Sequence, residues 1–245
     1  MQLKGKIALV TGGNGGIGTA FVAQLLQREV SKVYATVRNA DSGNHLKQLD
    51  PERVVVIELD ITDEVKVEQV AKMCSDVNVL INNAGVNRGS WLMAPDGKAA
   101  ARDELEANFF GTLNMCLAFA PVIENNGGGS IAIVCSLLGL VSMPVMGTYC
   151  VSKAALHSLI QGLRGELASK NISVRGIYPG PVDTKMADGV EMPKASPELV
   201  ALVSLEGLEN CVEDIFPDPM SQEVHTMLLA SPKQVEKEFA KYVPA

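Results

Sequence analysis

Tyr149 and Lys153 stand four residues apart in a stretch with apolar positions at helical spacing, so both side chains leave one helix face. A lysine ammonium beside a phenol favours phenolate and draws the phenol below its ordinary pKa of about 10. Such a phenol can give a proton to a carbonyl oxygen, or take one from an alcohol, near neutral pH. Ser136 comes earlier, just past the apolar run Ile131–Cys135. Parallel α/β sheets bind ligands outside the carboxyl ends of their strands, so a hydroxyl there could hydrogen-bond the reacting oxygen. Singly, each signal is weak: YxxxK arises by chance in a chain of this length, and a serine at a strand end is more often a turn residue.

A second group of residues could hold phosphates. Thr11-Gly12-Gly13-Asn14-Gly15-Gly16-Ile17-Gly18 follows the first apolar run, Ile7–Val10, and opens a helical stretch. Gly13, Gly15 and Gly18 fit GxGxxG; Thr11, Gly12, Gly16 and Gly18 fit TGxxxGxG. Glycines let the backbone turn tightly and approach a ligand, and the helix N-terminus behind them offers free N–H groups and a positive dipole end. A glycine turn also serves plain strand–helix packing, but its place between first strand and helix favours a dinucleotide site. Roughly 20 residues further on, an NAD site carries Asp or Glu for the ribose 2′-hydroxyl. Here the strand end reads Thr36-Val37-Arg38-Asn39, with no acid at the tip and Asp41 too far along. The Arg38 guanidinium can pair with a 2′-phosphate, although an arginine at a strand end is otherwise simply solvated. The expected cofactor is therefore NADP(H), with NAD(H) the lesser alternative.

These groups need a frame that brings strand ends together. Short β-branched runs occur at Ile7–Val10, Lys32–Thr36, Val54–Glu58, Val77–Ile81, Ile131–Cys135 and Ser173–Tyr178. Helical patterns lie between them at Ile17–Arg28, Glu64–Cys74, Arg102–Glu124 and Tyr149–Ser169. This alternation predicts βαβ units, and strands apolar on both faces predict a sheet covered on both sides. The expected fold class is α/β: a Rossmann-like doubly wound, mostly parallel sheet of about six to seven strands, helices on both faces, one domain over residues 1–245. Asp183–Ser196 reads as a long mobile connection and Pro197–Leu208 as a helix, so residues 183–210 are expected to form a lid loop and helix over the substrate. Val212–Phe216 reads as a short last strand, with helical stretches around Met220–Leu229 and Pro232–Tyr242.

Composition narrows the classes. The formal net charge of −7 argues against a broad nucleic-acid surface. The five cysteines are odd in number and form no CxxC, so free thiols are expected in place of disulfides or zinc. The three histidines have no HxxxH spacing, and no metal is expected. The apolar run Ile131–Met146 is broken by Ser136, Gly139, Ser142 and Pro144, short of a membrane span. With no signal segment at the basic N-terminus, the expected location is cytoplasmic.

Together these motifs resemble those of the short-chain dehydrogenases/reductases, across roughly residues 5–186. Besides the glycine turn, Asp60-Ile61 after the third strand resembles the family's adenine contact, and Asn82-Asn83-Ala84-Gly85 matches its NNAG. Asn108 falls at the helix asparagine, and Pro179-Gly180-Pro181-Val182-Asp183-Thr184 matches the PG segment that meets the nicotinamide carboxamide. The resemblance implies Tyr149 as acid/base, Ser136 orienting the carbonyl, and Lys153 binding the nicotinamide ribose while depressing the Tyr149 pKa. It implies that Asn108 holds a water linking Lys153 to solvent. Gly12, Asn14, Gly15, Gly16, Ile17, Gly18, Arg38, Asp60, Ile61, Asn83, Ala84, Gly85, Tyr149, Lys153, Pro179, Gly180, Val182 and Thr184 would bind the cofactor. The chain departs from the pattern in three places. The usual NxSS is here Ile133-Val134-Cys135-Ser136, the position before Gly16 is Gly15 and not a basic residue, and the DGG-like ending is absent, Val212–Asp218 being a reduced version at most.

Two rival functions fit the sequence less well. An α/β hydrolase requires GxSxG, which the chain lacks. A non-catalytic NADP(H) sensor on the same fold commonly loses the Tyr or Lys, and both are present. The expected activity is hydride transfer between NADP(H) and a carbonyl or secondary alcohol, of carbonyl reductase type. Leu137, Leu138, Leu140, Val145, Met146, Trp91, Leu92 and Met186 suggest an apolar small-molecule substrate. Apolar positions on the two long helices, among them Phe109, Leu113, Leu117, Leu156, Ile160 and Leu163, suggest a homodimer or homotetramer.

Overall fold

Seven strands lie side by side in a computed structural model that describes residues 1–244, in the order β3-β2-β1-β4-β5-β6-β7. They are β1 (Ile7–Val10), β2 (Lys32–Val37), β3 (Val54–Glu58), β4 (Val79–Asn82), β5 (Gly129–Val134), β6 (Ile172–Ile177) and β7 (Asp214–Ile215), and every ladder is parallel. The chain builds outward from β1 through β2 to β3, then returns to lay β4 on the other side of β1. That reversal opens a crevice at the carboxyl ends of β1 and β4, the place where such sheets bind ligands.

The doubly covered sheet follows from the alternation of side chains along each strand. Leu9, Leu80, Ile131 and Ile133 point into one core with Met115, Phe119, Leu156 and Ile160. Ala8, Val10, Ile81, Ala132 and Val134 point into the other, with Phe21, Leu25, Ala201 and Leu205. The first core is roofed by α3 (Glu64–Met73), α5 (Gly111–Asn125) and α6 (Gly147–Leu167), the second by α1 (Gly16–Gln27) and α7 (Pro197–Glu209), with the short α2 (Asn44–Lys47) at its edge. No helix among the described residues is long and apolar enough to cross a membrane.

Three expectations need correction. The helix expected from Arg102 begins at Gly97 as α4 (Gly97–Glu104) and passes through a π-helical turn, Leu105–Phe110, before α5. A π turn widens the helix by one residue and often marks a functional position; this one carries Asn108. Leu156, Ile160 and Leu163 are core residues of their own chain and offer nothing to a partner. Asp183–Ser196 is partly ordered, with a tight turn at Lys185–Ala187 and a bridge between Val182 and Ala195.

The tail adds α8 (Pro219–Ala230) and α9 (Pro232–Phe239). They close a third apolar cluster, Val224, Val235 and Phe239, over Leu137, Val141 and Met143. The Val145 N–H donates to the Tyr242 carbonyl (3.0 Å), so the last turn of the chain is tied to the loop that precedes Tyr149.

Candidate active site

The glycine turn is shaped by close approach. A Cβ at Gly18 would lie 2.1 Å from the Gly12 carbonyl oxygen, and one at Gly16 would lie 2.7 Å from Thr184 Cγ2. Gly12 takes φ 64°, a conformation other residues rarely adopt. The N-cap of α1 is Gly15, which has no side chain to cap the helix, and no acidic residue occupies the first turn. The first-turn amides of α1 are thus left for an outside acceptor. Behind the turn, the Thr11 hydroxyl accepts from the Asn83 and Ala84 N–H groups (2.9 and 3.0 Å), and Asn83 Nδ2 donates to the carbonyls of Thr11 and Gly12 (3.0 and 3.2 Å). These bonds join the ends of β1 and β4 into one floor. Open amides, glycines packed too tightly for a Cβ and a rigid floor fit a dinucleotide pyrophosphate.

At the far end of the crevice, Arg38 is exposed and makes no ion pair with a described residue. The Thr62 N–H and hydroxyl hold Asp60 below its ordinary pKa against the opposing effect of burial, and the Arg38 charge adds a smaller push in the same direction. Asp60 is also bound by the Thr62 hydroxyl (2.8 Å), which closes a local turn. Ile61 is buried against Gly111, where a Cβ would meet it at 2.7 Å. Asn14 Nδ2 donates to Ser42 Oγ (2.9 Å), joining the glycine turn to the loop after β2. Val37, read as the tip of the second strand, is 1% exposed and packs beneath Gly43. Its side chain belongs to the core, while Arg38 and the residues just after it face solvent.

The third group is buried. Ser136, Tyr149 and Lys153 are 8%, 9% and 5% exposed, at the end of β5 and on the first turns of α6. Lys153 Nζ lies 5.5 Å from the centre of the Tyr149 ring and donates to the Val134 carbonyl (3.0 Å). Burial pushes the Tyr149 phenol above its ordinary range; nearby Cys135 adds to this and the Ser136 hydroxyl opposes it. Burial also lowers the Lys153 ammonium. In the chain alone, loss of solvent around the phenol is the largest influence on Tyr149, and it acts in the opposite direction to the depression that the resemblance implies for Lys153.

Asn108 sits 1% exposed on the π turn. Its Oδ1 accepts from the Val86 N–H (2.7 Å), and its Nδ2 donates to the Val86 carbonyl (2.9 Å) and to Ser152 Oγ (2.8 Å). The Ser152 hydroxyl donates in turn to the Tyr149 carbonyl (2.8 Å), so Asn108 connects the segment after NNAG to the helix carrying the phenol. Asn108 Oδ1 and Lys153 Nζ both come close to Gly85, where a Cβ would lie 3.0 and 3.7 Å from them.

Pro179 accepts from the Leu137 N–H (3.0 Å), beside Ser136, while the Gly180 N–H donates to Asp218 (2.9 Å). Thr184 covers the start of α1. Pro179, Gly180, Val182 and Thr184 therefore run from the serine to the glycine turn along one side of the crevice. Sequence reading missed Ser152, Glu104 and Asp218. Glu104 is fully buried, with Oε1 accepting from the Arg88 N–H (2.6 Å) and no donor at Oε2. Its position one helical turn before Asn108 was a signal; for Asp218 the signal was Asp-Pro-x-Ser, a helix start.

A doubly wound parallel sheet with a glycine-lined phosphate cradle at its switch point, and serine, tyrosine and lysine around one cleft, defines the dinucleotide-dependent oxidoreductases as a class. More narrowly, the chain belongs to the short-chain dehydrogenase family, whose model matches residues 6–194. An uncharacterised oxidoreductase of Staphylococcus aureus is 34% identical over 188 residues, which is 74% of this chain and 80% of that protein. A short-chain dehydrogenase of Burkholderia cenocepacia, solved in complex with NADP, is 38% identical, with TM-score 0.92 over 98% of this chain and 99% of that one. A Burkholderia phymatum relative in complex with NAD shares 21% identity and a TM-score of 0.84 over 96% of both chains, a likeness of fold.

Proposed function

We propose that this oxidoreductase transfers hydride between NADP(H) and a carbonyl or secondary alcohol, with Tyr149 as general acid/base. The observation that carries the reading is the convergence of buried Ser136, Tyr149 and Lys153 on one side of a cleft whose other wall is the uncapped start of α1. NADPH supplies the hydride when bound, and NADP+ receives it in the reverse direction. Gly12, Asn14, Gly15, Gly16, Ile17 and Gly18 hold the pyrophosphate, Asp60 and Ile61 the adenine, and Arg38 the 2′-phosphate. Asn83, Ala84, Gly85 and Lys153 hold the nicotinamide ribose, and Pro179, Gly180, Val182 and Thr184 orient the carboxamide. The solved NADP complex of the 38%-identical relative supports this choice of cofactor.

Ser136 donates to the substrate oxygen and fixes it against the phenol. Tyr149 gives that oxygen its proton during reduction and recovers it through Lys153, whose supply runs past Gly85 to a water held at Asn108.

The substrate is an apolar ketone or aldehyde. Leu138, Val145, Met146 and Met220 are half-buried beside Leu137, and Met192 brings the segment 183–196 over them, while α7 stays packed on the second core. Phe110 and Leu117, 47% and 64% exposed on the π turn and α5, are the faces through which the chain forms at least a dimer. Light scattering that shows only a 26.0 kDa species would remove the oligomer. The test of function is NADPH consumption with neutral ketones and aldehydes. Tight NADPH binding with no turnover across that panel would favour the sensor.

A further inference from the structure

We infer that Asp218, in the tail beyond the family-matched region, is a positioning residue that fixes the Pro179–Gly180 turn against the nicotinamide side of the cleft. The inference rests on the cofactor reading above. Asp218 is 3% exposed and is the N-cap of α8. Its Oδ1 accepts from the Ser221 N–H (2.9 Å), which is the capping bond, while Oδ2 accepts from the Gly180 N–H (2.9 Å). No described cation forms an ion pair with it, so backbone amides from two segments and the positive end of α8 are what compensate the buried charge.

A cap alone does not call for this arrangement. Serine or asparagine caps a helix as well as aspartate does, with one acceptor. The second oxygen is spent on Gly180, outside the helix. Gly180 in turn leaves no room to spare: a Cβ there would lie 3.0 Å from Asp218 Oδ1. The adjoining Pro179 carbonyl is held by the Leu137 N–H, next to Ser136. The turn is thereby gripped from Leu137, the neighbour of Ser136, on one side and from the tail on the other. Its placement sets where Val182 and Thr184 leave it along the cleft.

Two variants separate the grip from the cap. Asp218→Asn and Asp218→Ser keep an acceptor for the Ser221 N–H; the first turns an amide toward Gly180 and the second is too short to reach it. Ser221→Ala is the control, since it weakens the capping box and leaves the Gly180 bond. In the cofactor-free protein, amide exchange in residues 178–184 should speed up about tenfold in both Asp218 variants, the scale of one lost charge-assisted hydrogen bond. NADPH affinity, followed by the fluorescence of the reduced nicotinamide, should fall by a similar factor, with Tm no lower than that of Ser221→Ala. Unchanged exchange and affinity in both Asp218 variants would overturn the inference, as would the same losses in Ser221→Ala. If the wild type fails to bind NADPH, the cofactor reading falls and this one with it; if it binds and the variants match it, only this one falls.

Discussion

The two ends of the cleft are built in opposite ways. Around Tyr149 the functional side chains are buried, and two of them bond to the backbone of other elements: Lys153 to Val134 and Asn108 to Val86. At the other end Arg38 and Asp60 are exposed, and Asp60 is held only by a local turn at Thr62. At the buried end, removal of water is the dominant influence on ionisation, and it raises the phenol and lowers the ammonium together. At the exposed end charges are screened by solvent and salt, so one group contributes little to stability and can still discriminate ligands. Proton chemistry needs the first environment, and choice between two cofactors needs only the second.

The hardest test of that contrast is Tyr149→Phe. The variant keeps the ring in its buried site and removes only the hydroxyl, so turnover should fall at least ~10²-fold, the scale of general acid–base catalysis, with NADPH affinity nearly unchanged. Lys153→Ala should lower both, because the proposed role of the ammonium is to serve the phenol and the ribose together. Near-normal turnover in the phenylalanine variant would end the claim that chemistry sits at the buried end.

Ionisation of the protein itself gives a second test. Burial pushes the thiols of Cys74 and Cys116 up to about 12 and that of Cys135 to about 11, from 9.0. The folded chain holds these protons more tightly than the unfolded chain. Their contribution is therefore complete below pH 9 and is lost as pH rises through the interval from 9 to about 12. The loss is about 1.4 kcal/mol per thiol for each pH unit inside that interval, so Tm should fall as pH rises from 8 to 10. Serine at Cys116 should flatten that profile, whatever it does to stability at neutral pH. A Tm constant over this range would mean that the interior is wetter than its burial indicates.

Much of this architecture was legible in the sequence, for a physical reason. Strands covered on both faces must be apolar throughout, so Ile7–Val10 and Ile131–Val134 announce themselves, and the glycine turn and YxxxK motif are local patterns. What escaped was long-range or irregular. A π turn has no composition signature, and Asn108 gains its place through bonds to Val86 and Ser152 that no local spacing encodes. The same holds for Val37: its position at a strand tip was readable, but its burial depends on the turn at Ala40–Gly43 folding back over it. Apolar helix positions indicated a partner surface, yet Leu156 and Ile160 face their own sheet, because periodicity identifies a face and not its neighbour.

The mildest prediction concerns Arg38, where the exposed end should reveal itself through selectivity alone. No carboxylate stands at the tip of β2 to accept a ribose hydroxyl, and buried Val37 can neither attract nor repel a phosphate. Arg38 supplies a permanent charge and a planar set of donors without competition from any described ion-pair partner. A charge-assisted hydrogen bond favours its ligand by about ten- to hundredfold, and solvent screening places an exposed arginine near the lower figure. Arg38→Ala should thus raise KM for NADPH about tenfold while KM for NADH and Tm stay close to wild type. Raising the salt should erode the NADPH preference of the wild type and leave that of the variant flat, since screening acts only where the charge remains. Val37→Asp is a poor route to an NAD enzyme, because the carboxylate would be buried beneath Gly43 and would unsettle the loop before it met a ribose. A wild-type kcat/KM higher with NADH than with NADPH would show that Arg38 is merely solvated and move attention to Asp41, the acid that follows it.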